Sequence, residues 1–187
     1  HNGFYRKTRP CLARPVMATP MTDNLHYSDG MLRGLLASVR TIAMVGASGD
    51  WKRPSYFAMK YLQRRGYRVI PINPTRAGDD ILGETVYASL AEVPGQIDMV
   101  DVFRSSESAL GVTEEAVAIM ADKGITVLWL QLGIRNDAAA ALATGAGLKV
   151  IMDRCPKIEF ARLSGELSWS GINTRIITSK ILKAPRA

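Results

Sequence analysis

The sequence predicts an α/β fold of three layers, a five-stranded parallel β-sheet in strand order 3-2-1-4-5 with helices on both faces. Three observations carry this expectation. Short apolar runs alternate with longer amphipathic stretches, the pattern of successive βαβ units. Glycine, proline or asparagine stands at most of the junctions. The chain has 187 residues and is 47% hydrophobic, enough for one domain with a sizeable core.

The elements follow in order. Ser28 or Asp29 caps a first helix carrying Met31, Leu32, Leu35, Leu36 and Val39. Thr41–Val45 is strand β1, ending at Gly46. Pro54 suits the first turn of a helix over about 54–65, with Gly66 at its stop. Arg68–Ile72 is β2, closed by Asn73 and Pro74. Ser89 and Glu92 have capping-box spacing and predict one short helix. Asp98–Phe103 is β3, and a helix over about 113–123 follows, capped by Thr113 and stopped by Gly124. Thr126–Leu130 is β4. Asn136 caps an alanine-rich helix to about 146, and Leu148–Met152 is β5. A last helix covers 156–163. The right-handed crossover rule makes 3-2-1-4-5 the natural order for these five strands.

Residues 1–28 read as a basic arm, flexible in expectation, ahead of a single domain over 29–187. Arg6, Lys7, Arg9 and Arg14 make the arm basic, and Pro10, Pro15 and Pro20 break any long amphipathic helix. It reads as an extension of the domain, with a transit peptide as the alternative; Met17 and Met21 are candidate internal starts. No run approaches the length of a membrane span, so no membrane partner is expected.

Composition excludes several chemistries. The two histidines, His1 and His26, both precede the first strand. A core built without histidine holds no Ser-His-Asp triad, no Cys-His pair and no imidazole-rich zinc site. Two cysteines, Cys11 and Cys155, make no disulfide framework. Cys155 precedes Pro156 at a helix start beside Arg154 and Lys157, which reads either as a reactive thiol or as a buried structural cysteine. No P-loop lysine motif is present. The net charge of +7 would assist nucleic-acid binding, but no nucleic-acid-binding signature accompanies it, and no such partner is expected.

Ligands of an open parallel sheet bind at the carboxyl ends of its strands. The loop Gly46-Ala47-Ser48-Gly49-Asp50-Trp51-Lys52-Arg53-Pro54 has glycines and small residues that permit close approach to a phosphate near a helix start. An NAD site wants an acid roughly 20 residues after its glycines. Here that position falls near Asn73, and no acid lies between Asp50 and Asp79. Seven bases do: Lys52, Arg53, Lys60, Arg64, Arg65, Arg68 and Arg76. Such a window suits a ligand with several phosphates, a ribose monophosphate included. Lys52, Arg53 and Arg76 stand in loops and are the phosphate candidates; Lys60, Arg64 and Arg65 read as solvated helix surface. At the ends of β3 and β4, Phe103 and Arg104 offer a stacking face and a charge, and Gln131 and Gly133 offer an amide and room for close approach.

Several strings resemble one known family. They are Ile42–Ser48, Arg53–Tyr56, Gly66–Pro74, Ile81–Glu84, Asp98–Arg104, Trp129–Gly133 and Asp153–Lys157. Together they resemble the small stand-alone CoA-binding domain proteins of bacteria and archaea, relatives of the N-terminal domain of the succinyl-CoA synthetase alpha subunit. The resemblance implies a Rossmann-like fold with CoA or an acyl-CoA above β1, β2 and β3. It implies Gly46, Ala47, Ser48 and Pro54 at the pyrophosphate, Asn73 and Pro74 at the nucleotide, Phe103 and Arg104 as lining, and Gln131 and Gly133 toward the pantetheine or pyrophosphate. Lys52, Arg53 and Arg76 as ribose-phosphate anchors come from charge alone. Family members commonly have asparagine before Arg154-Cys155-Pro156; Asp153 departs from this and would disfavour a thiolate at Cys155. The synthetase's phosphohistidine chemistry does not carry over. The expectation is therefore a cytoplasmic CoA binder without catalysis of its own. The alternatives are an NADP- or CoA-dependent enzyme, or an interaction scaffold with a vestigial crevice. A homodimer or an unidentified protein partner is compatible with the sequence, with Trp169 and Ile172 in the tail as docking candidates.

Overall fold

The computed structural model describes residues 25–165. The arm to residue 24 and the tail from 166, with Trp169 and Ile172, lie outside the described residues. In chain order the elements are α1 (Asp29–Ser38), β1 (Thr41–Val45), α2 (Pro54–Arg64), β2 (Arg68–Ile72), β3 (Met99–Val102), α3 (Ala109–Lys123), β4 (Val127–Leu130), α4 (Asp137–Gly145), β5 (Lys149–Ile151) and α5 (Pro156–Leu163). A small antiparallel hairpin, Asp80–Ile81 with Glu84–Thr85, interrupts the connection from β2 to β3.

The five strands form one parallel sheet, as expected, but its order is β2-β1-β3-β4-β5. The expected order 3-2-1-4-5 would have put β2 inside the sheet. Pro71 lacks an N–H, and proline within a strand belongs at an edge. The segment after β2 then takes that edge for itself. Tyr87 N donates to Pro71 O at 3.0 Å and Asn73 N to Tyr87 O at 2.9 Å. With its outer side occupied, β2 cannot receive β3, which pairs with the far side of β1 instead.

Strand alternation builds two cores. Ile42, Met44, Met99, Trp129 and Ile151 point to one face, where α1, α2 and α5 cover them with Leu32, Leu36, Met59, Leu62 and Leu163. Ala43, Val45, Val100, Val102, Leu128 and Leu130 point to the other face, covered by Ala109 and Ala116 of α3 and Ala140 and Ala143 of α4. Leu90, Val93 and Ile97 of the long connection complete that second core. The sheet is therefore covered on both faces, which is why its strands read as largely apolar runs, with the buried Asp101 of β3 as an exception.

Most boundaries agree with local chemistry. Ser28 Oγ accepts Met31 N, Asn136 Oδ1 accepts Ala139 N, and Gly124 closes α3 at φ 75°. Two expectations are corrected. α3 begins at Ala109, a turn earlier than expected, and Thr113 is a buried interior residue whose Oγ1 donates to Ala109 O. Burial lets this hydroxyl return to its own helix rather than cap one. No helix forms at Ser89–Glu92: Glu92 does bond Ala88 N, but Leu90 N turns away to Glu115 Oε1 at 2.7 Å. Upstream of α1, Leu25 O accepts Arg154 Nη2 and Tyr27 Oη accepts Met152 N.

Candidate functional site

The order of the strands reverses between β1 and β3, and the site forms there. β1 runs into Gly46 at φ 86°, a backbone region that favours glycine. A Cβ on Gly46 would stand 2.5 Å from Phe103 O and 2.8 Å from Arg104 Cδ. The turn after β1 and the end of β3 thus touch only because this residue has no side chain. Asn73, at the end of β2, ties in from the other side: its Nδ2 donates to Ala47 O at 2.8 Å and its Oδ1 accepts Thr75 N.

The turn amides are already engaged. Gly46 N and Ala47 N donate to Ile72 O, and Ser48 N to Ser55 Oγ. The sequence reading had those amides facing a phosphate. In the fold these three N–H groups hold the turn.

Above the turn opens a cleft of about 890 Å³. Ten of the thirteen expected residues line it: Gly46, Ala47, Ser48, Lys52, Arg53, Pro54, Asn73, Phe103, Arg104 and Gln131. Three do not. Pro74 is exposed beyond the wall. Arg76 pairs with Asp79 at 2.8 Å on an exposed surface. Gly133 stands behind Leu132, its N–H donating to Asp153 Oδ1 at 2.7 Å.

The sequence reading missed part of the lining. Ser55, Phe57 and Ala58 continue the first turns of α2, which the Pro54 signal would have included. Ser105, Leu132 and Ile134 complete the loops after β3 and β4. Cys155, Lys157 and Ile158 come from the first turn of α5. A helix start at Pro156 was legible, but its position over β4 was not.

The rim of the cleft is basic. Lys52, Arg53 and Arg104 are exposed and have no carboxylate partner among the described residues. The first turns of α2 and α5 open onto the same space, and helix starts favour negative charge. Beneath the rim the lining turns apolar, with Phe57, Ala58, Leu132, Ile134 and Ile158. The cleft thus combines a charged mouth with an oily interior.

Behind Gln131, beneath the floor of the cleft, lies one carboxyl. Asp101 lies in the middle of β3, wholly buried, and Gln131 Nε2 donates to both of its oxygens, at 2.8 and 3.1 Å. Burial pushes its pKa up to about 7, partly offset by the Gln131 bond. Cys155 is the N-cap residue of α5, without a side-chain cap bond. Burial, chiefly, pushes its thiol up to about 11, with Asp101 adding to the rise and the amides at the start of α5 opposing it. The thiol is therefore protonated at neutral pH, in keeping with the structural cysteine rather than the reactive one. Asp153 does not cause this, because its carboxylate is turned to Gly133 N.

Among the described residues no group of three or more His, Cys, Asp or Glu side chains is placed to hold a metal. A second cavity of about 280 Å³ lies among the ends of α1, α2 and α5, lined in part by Arg33, Arg40, Tyr67 and Phe160. There Arg33 and Arg40 donate to carbonyls of Leu163 and Ala37 at helix ends, a capping role. No helix of the described residues is long and apolar enough to cross a membrane.

A doubly wound parallel sheet with a glycine turn and a basic cleft at its reversal point defines a nucleotide-binding class of α/β protein. The sequence model of the CoA binding domain family matches residues 40–161. The chain belongs to that CoA-binding domain family. It is 39% identical over 134 residues to the uncharacterized protein YneT of Bacillus subtilis (strain 168), covering 72% of this chain and 95% of YneT. Among solved structures, a protein of Thermus thermophilus is 36% identical, with a TM-score of 0.68, over 73% of this chain and 99% of its own. A hypothetical protein from Pyrococcus horikoshii OT3 is 32% identical, with a TM-score of 0.70, over 86% of this chain and all of its own (100%).

Proposed function

We propose that the protein binds CoA or an acyl-CoA in the cleft above β1 and β3, without catalysis of its own. The observation that carries this reading is the composition of the cleft: basic loops and two helix starts at its mouth, an apolar interior beneath. CoA has the same division, a nucleotide with three phosphate groups joined to a long, weakly polar pantetheine arm. Lys52, Arg53 and Arg104 attract the phosphates, with Lys157 adding charge from α5. Gly46, Ala47, Ser48, Pro54 and Asn73 shape the nucleotide half. Phe103 and Gln131 border the path of the pantetheine. Arg76, paired with Asp79, is left out of the phosphate-binding set. Among the described residues the lining of the cleft holds no histidine and no carboxyl, and Asp101 is sealed behind Gln131, the ground for reading a binder rather than an enzyme. CoA is an intracellular cofactor, and the reading carries a cytoplasmic location with it.

Calorimetric titration of the full chain with CoA, 3′-dephospho-CoA, NADP and ATP tests the proposal. CoA is expected to bind most tightly and dephospho-CoA more weakly. Absence of CoA binding at about 1 mM, a free energy near −4 kcal/mol, would sink it. Equal affinity for dephospho-CoA would remove the role of the basic loops in reading the ribose phosphate. Preference for NADP would favour the oxidoreductase alternative.

A further inference from the structure

The floor of the cleft carries a polar pair that binding of phosphates does not require. Asp101 is sealed from solvent, and the Gln131 side-chain amide supplies both hydrogen bonds that its carboxylate receives from side chains. A carboxylate accepts only, so when Asp101 is ionised the NH₂ end of Gln131 must face it. The amide's other end then has a fixed direction. Gln131 Oε1 takes no donor among the described residues, yet no buried side-chain polar atom there lacks a partner. Oε1 is therefore open to the cleft that Gln131 lines. The oxygen and the NH₂ of a glutamine amide are ordinarily interchangeable by a half-turn. Here the neighbour decides which end the ligand meets.

The surroundings leave this pair to set its own balance. β1 and β4 place Met44 and Trp129 beside Asp101 in the sheet. α2 packs Ala58 and Met59 on this face, and α1 packs Leu32, Leu35 and Leu36, none of them titratable. α5 brings Cys155, Lys157 and Glu159. Glu159 is held by Arg154 and Arg162, and Lys157 sits 5.8 Å from the Tyr61 ring. The Cys155 thiol is the neighbour whose charge couples to Asp101, and it is neutral until strongly alkaline pH. Lys52, Arg53 and Arg104 lie on the exposed rim, where solvent screens them.

We infer that Asp101 is a positioning residue: it holds the Gln131 amide so that Oε1 accepts an N–H of the ligand's pantetheine arm, and protonation of Asp101 frees the amide to turn over. This inference rests on the CoA reading, because it names the part of CoA that Gln131 meets. β4 stands three strand spacings from β2, roughly 14 Å across the sheet. A nucleotide anchored beside Asn73 thus places the arm, with its two amides, toward Gln131. Once protonated, Asp101 donates to Gln131 Oε1, and the NH₂ end turns to the cleft against the ligand's own N–H. CoA affinity consequently rises with pH as Asp101 ionises, in the range around pH 7 set by its burial.

Titrating the full chain with CoA and with the terminal methyl ester of 3′-phosphoadenosine 5′-diphosphate, across about pH 5.5 to about 8.5, tests this. The methyl ester shares the ribose 3′-phosphate, its titration and the pyrophosphate diester but lacks the arm, so the ratio of the two affinities isolates the arm. In the native protein that ratio is expected to rise about fivefold with pH, the worth of one neutral hydrogen bond. In Asp101→Asn, which keeps the shape and removes the titration, the ratio should be flat. NMR of the ligand-free native protein gives a second readout that needs no variant to fold. The Asp101 carboxyl carbon should titrate near pH 7, and the Gln131 side-chain NH₂ signals should move with it. An Asp101 midpoint in the ordinary carboxylate range, or Gln131 signals that ignore it, would overturn the inference. A titrating pair with a pH-independent affinity ratio would also overturn it and leave the CoA reading intact. Failure of CoA to bind at any pH overturns the CoA reading and the inference with it.

Discussion

Single residues set the cleft's dimensions. Gly46 is the clearest case, since any side chain there meets the Phe103 carbonyl at 2.5 Å and the backbone sits at φ 86°. Gly46→Ala is expected to cost about 2–3 kcal/mol in stability, lowering Tm by roughly 4–10 °C, measurable by calorimetry. Asp101 is the second case. Its pKa rises from 3.8 to about 7 on folding, so the folded state holds its proton at pH values where the unfolded chain has released it. This group's contribution to stability is complete below about pH 4 and is lost as pH rises to about 7 and beyond. Asp101→Asn removes that loss. Denaturation of the two proteins at several pH values should show the variant gaining on the native protein as pH increases. A constant difference would mean that Asp101 titrates alike in both states.

Elements carry the site through their ends. α2 and α5 present their first turns to the cleft, and β1, β3 and β4 end in its loops. The start of α4 reinforces one of these loops. Asn136 Oδ1 accepts Ala139 N at 2.8 Å, while its Nδ2 donates to Ser106 O at 2.8 Å, binding the helix cap to the loop after β3. Asn136→Ala should destabilise by about 1–2 kcal/mol, as read by urea unfolding. At the start of α2, Lys52 and Arg53 give the cleft mouth its charge. Replacing both with alanine is expected to weaken CoA binding about tenfold at low salt, with the difference shrinking as salt is raised. A salt-independent loss would point to altered packing of α2 rather than lost charge. The elements were mostly legible because capping and strand signals are local: Ser28, Pro54, Gly124 and Asn136 each act within a few residues of themselves. Thr113 and the Ser89–Glu92 pair misled because their partners were decided elsewhere. Thr113 became a buried residue within α3, and Leu90 N found Glu115 across 25 residues.

For the whole molecule, the strand order controls where a ligand sits. With β1 flanked by β2 and β3, the reversal point lies directly over Gly46, and the ends of β3 and β4 wall the same cleft. A ligand held there binds the folded chain alone. CoA at about 100 times its Kd should therefore add about 2.7 kcal/mol to stability, seen as a rise in Tm that follows ligand concentration. Absence of that rise in a protein that binds CoA by calorimetry would place the binding outside the folded cleft. Local chemistry in the sequence determined the strands and most helix caps. It also marked the glycine turn, the basic window without acids and ten of the cleft's lining residues. Tertiary structure alone decided the position of β3, the approach of α5 and the meeting of Asp101 with Gln131. Pairing along a sheet edge depends on which edge is already filled, and the segment reaching Tyr87 fills that of β2. Burial of Asp101 likewise follows from the layers packed over β3, a property of the whole fold that its own neighbours in sequence do not carry.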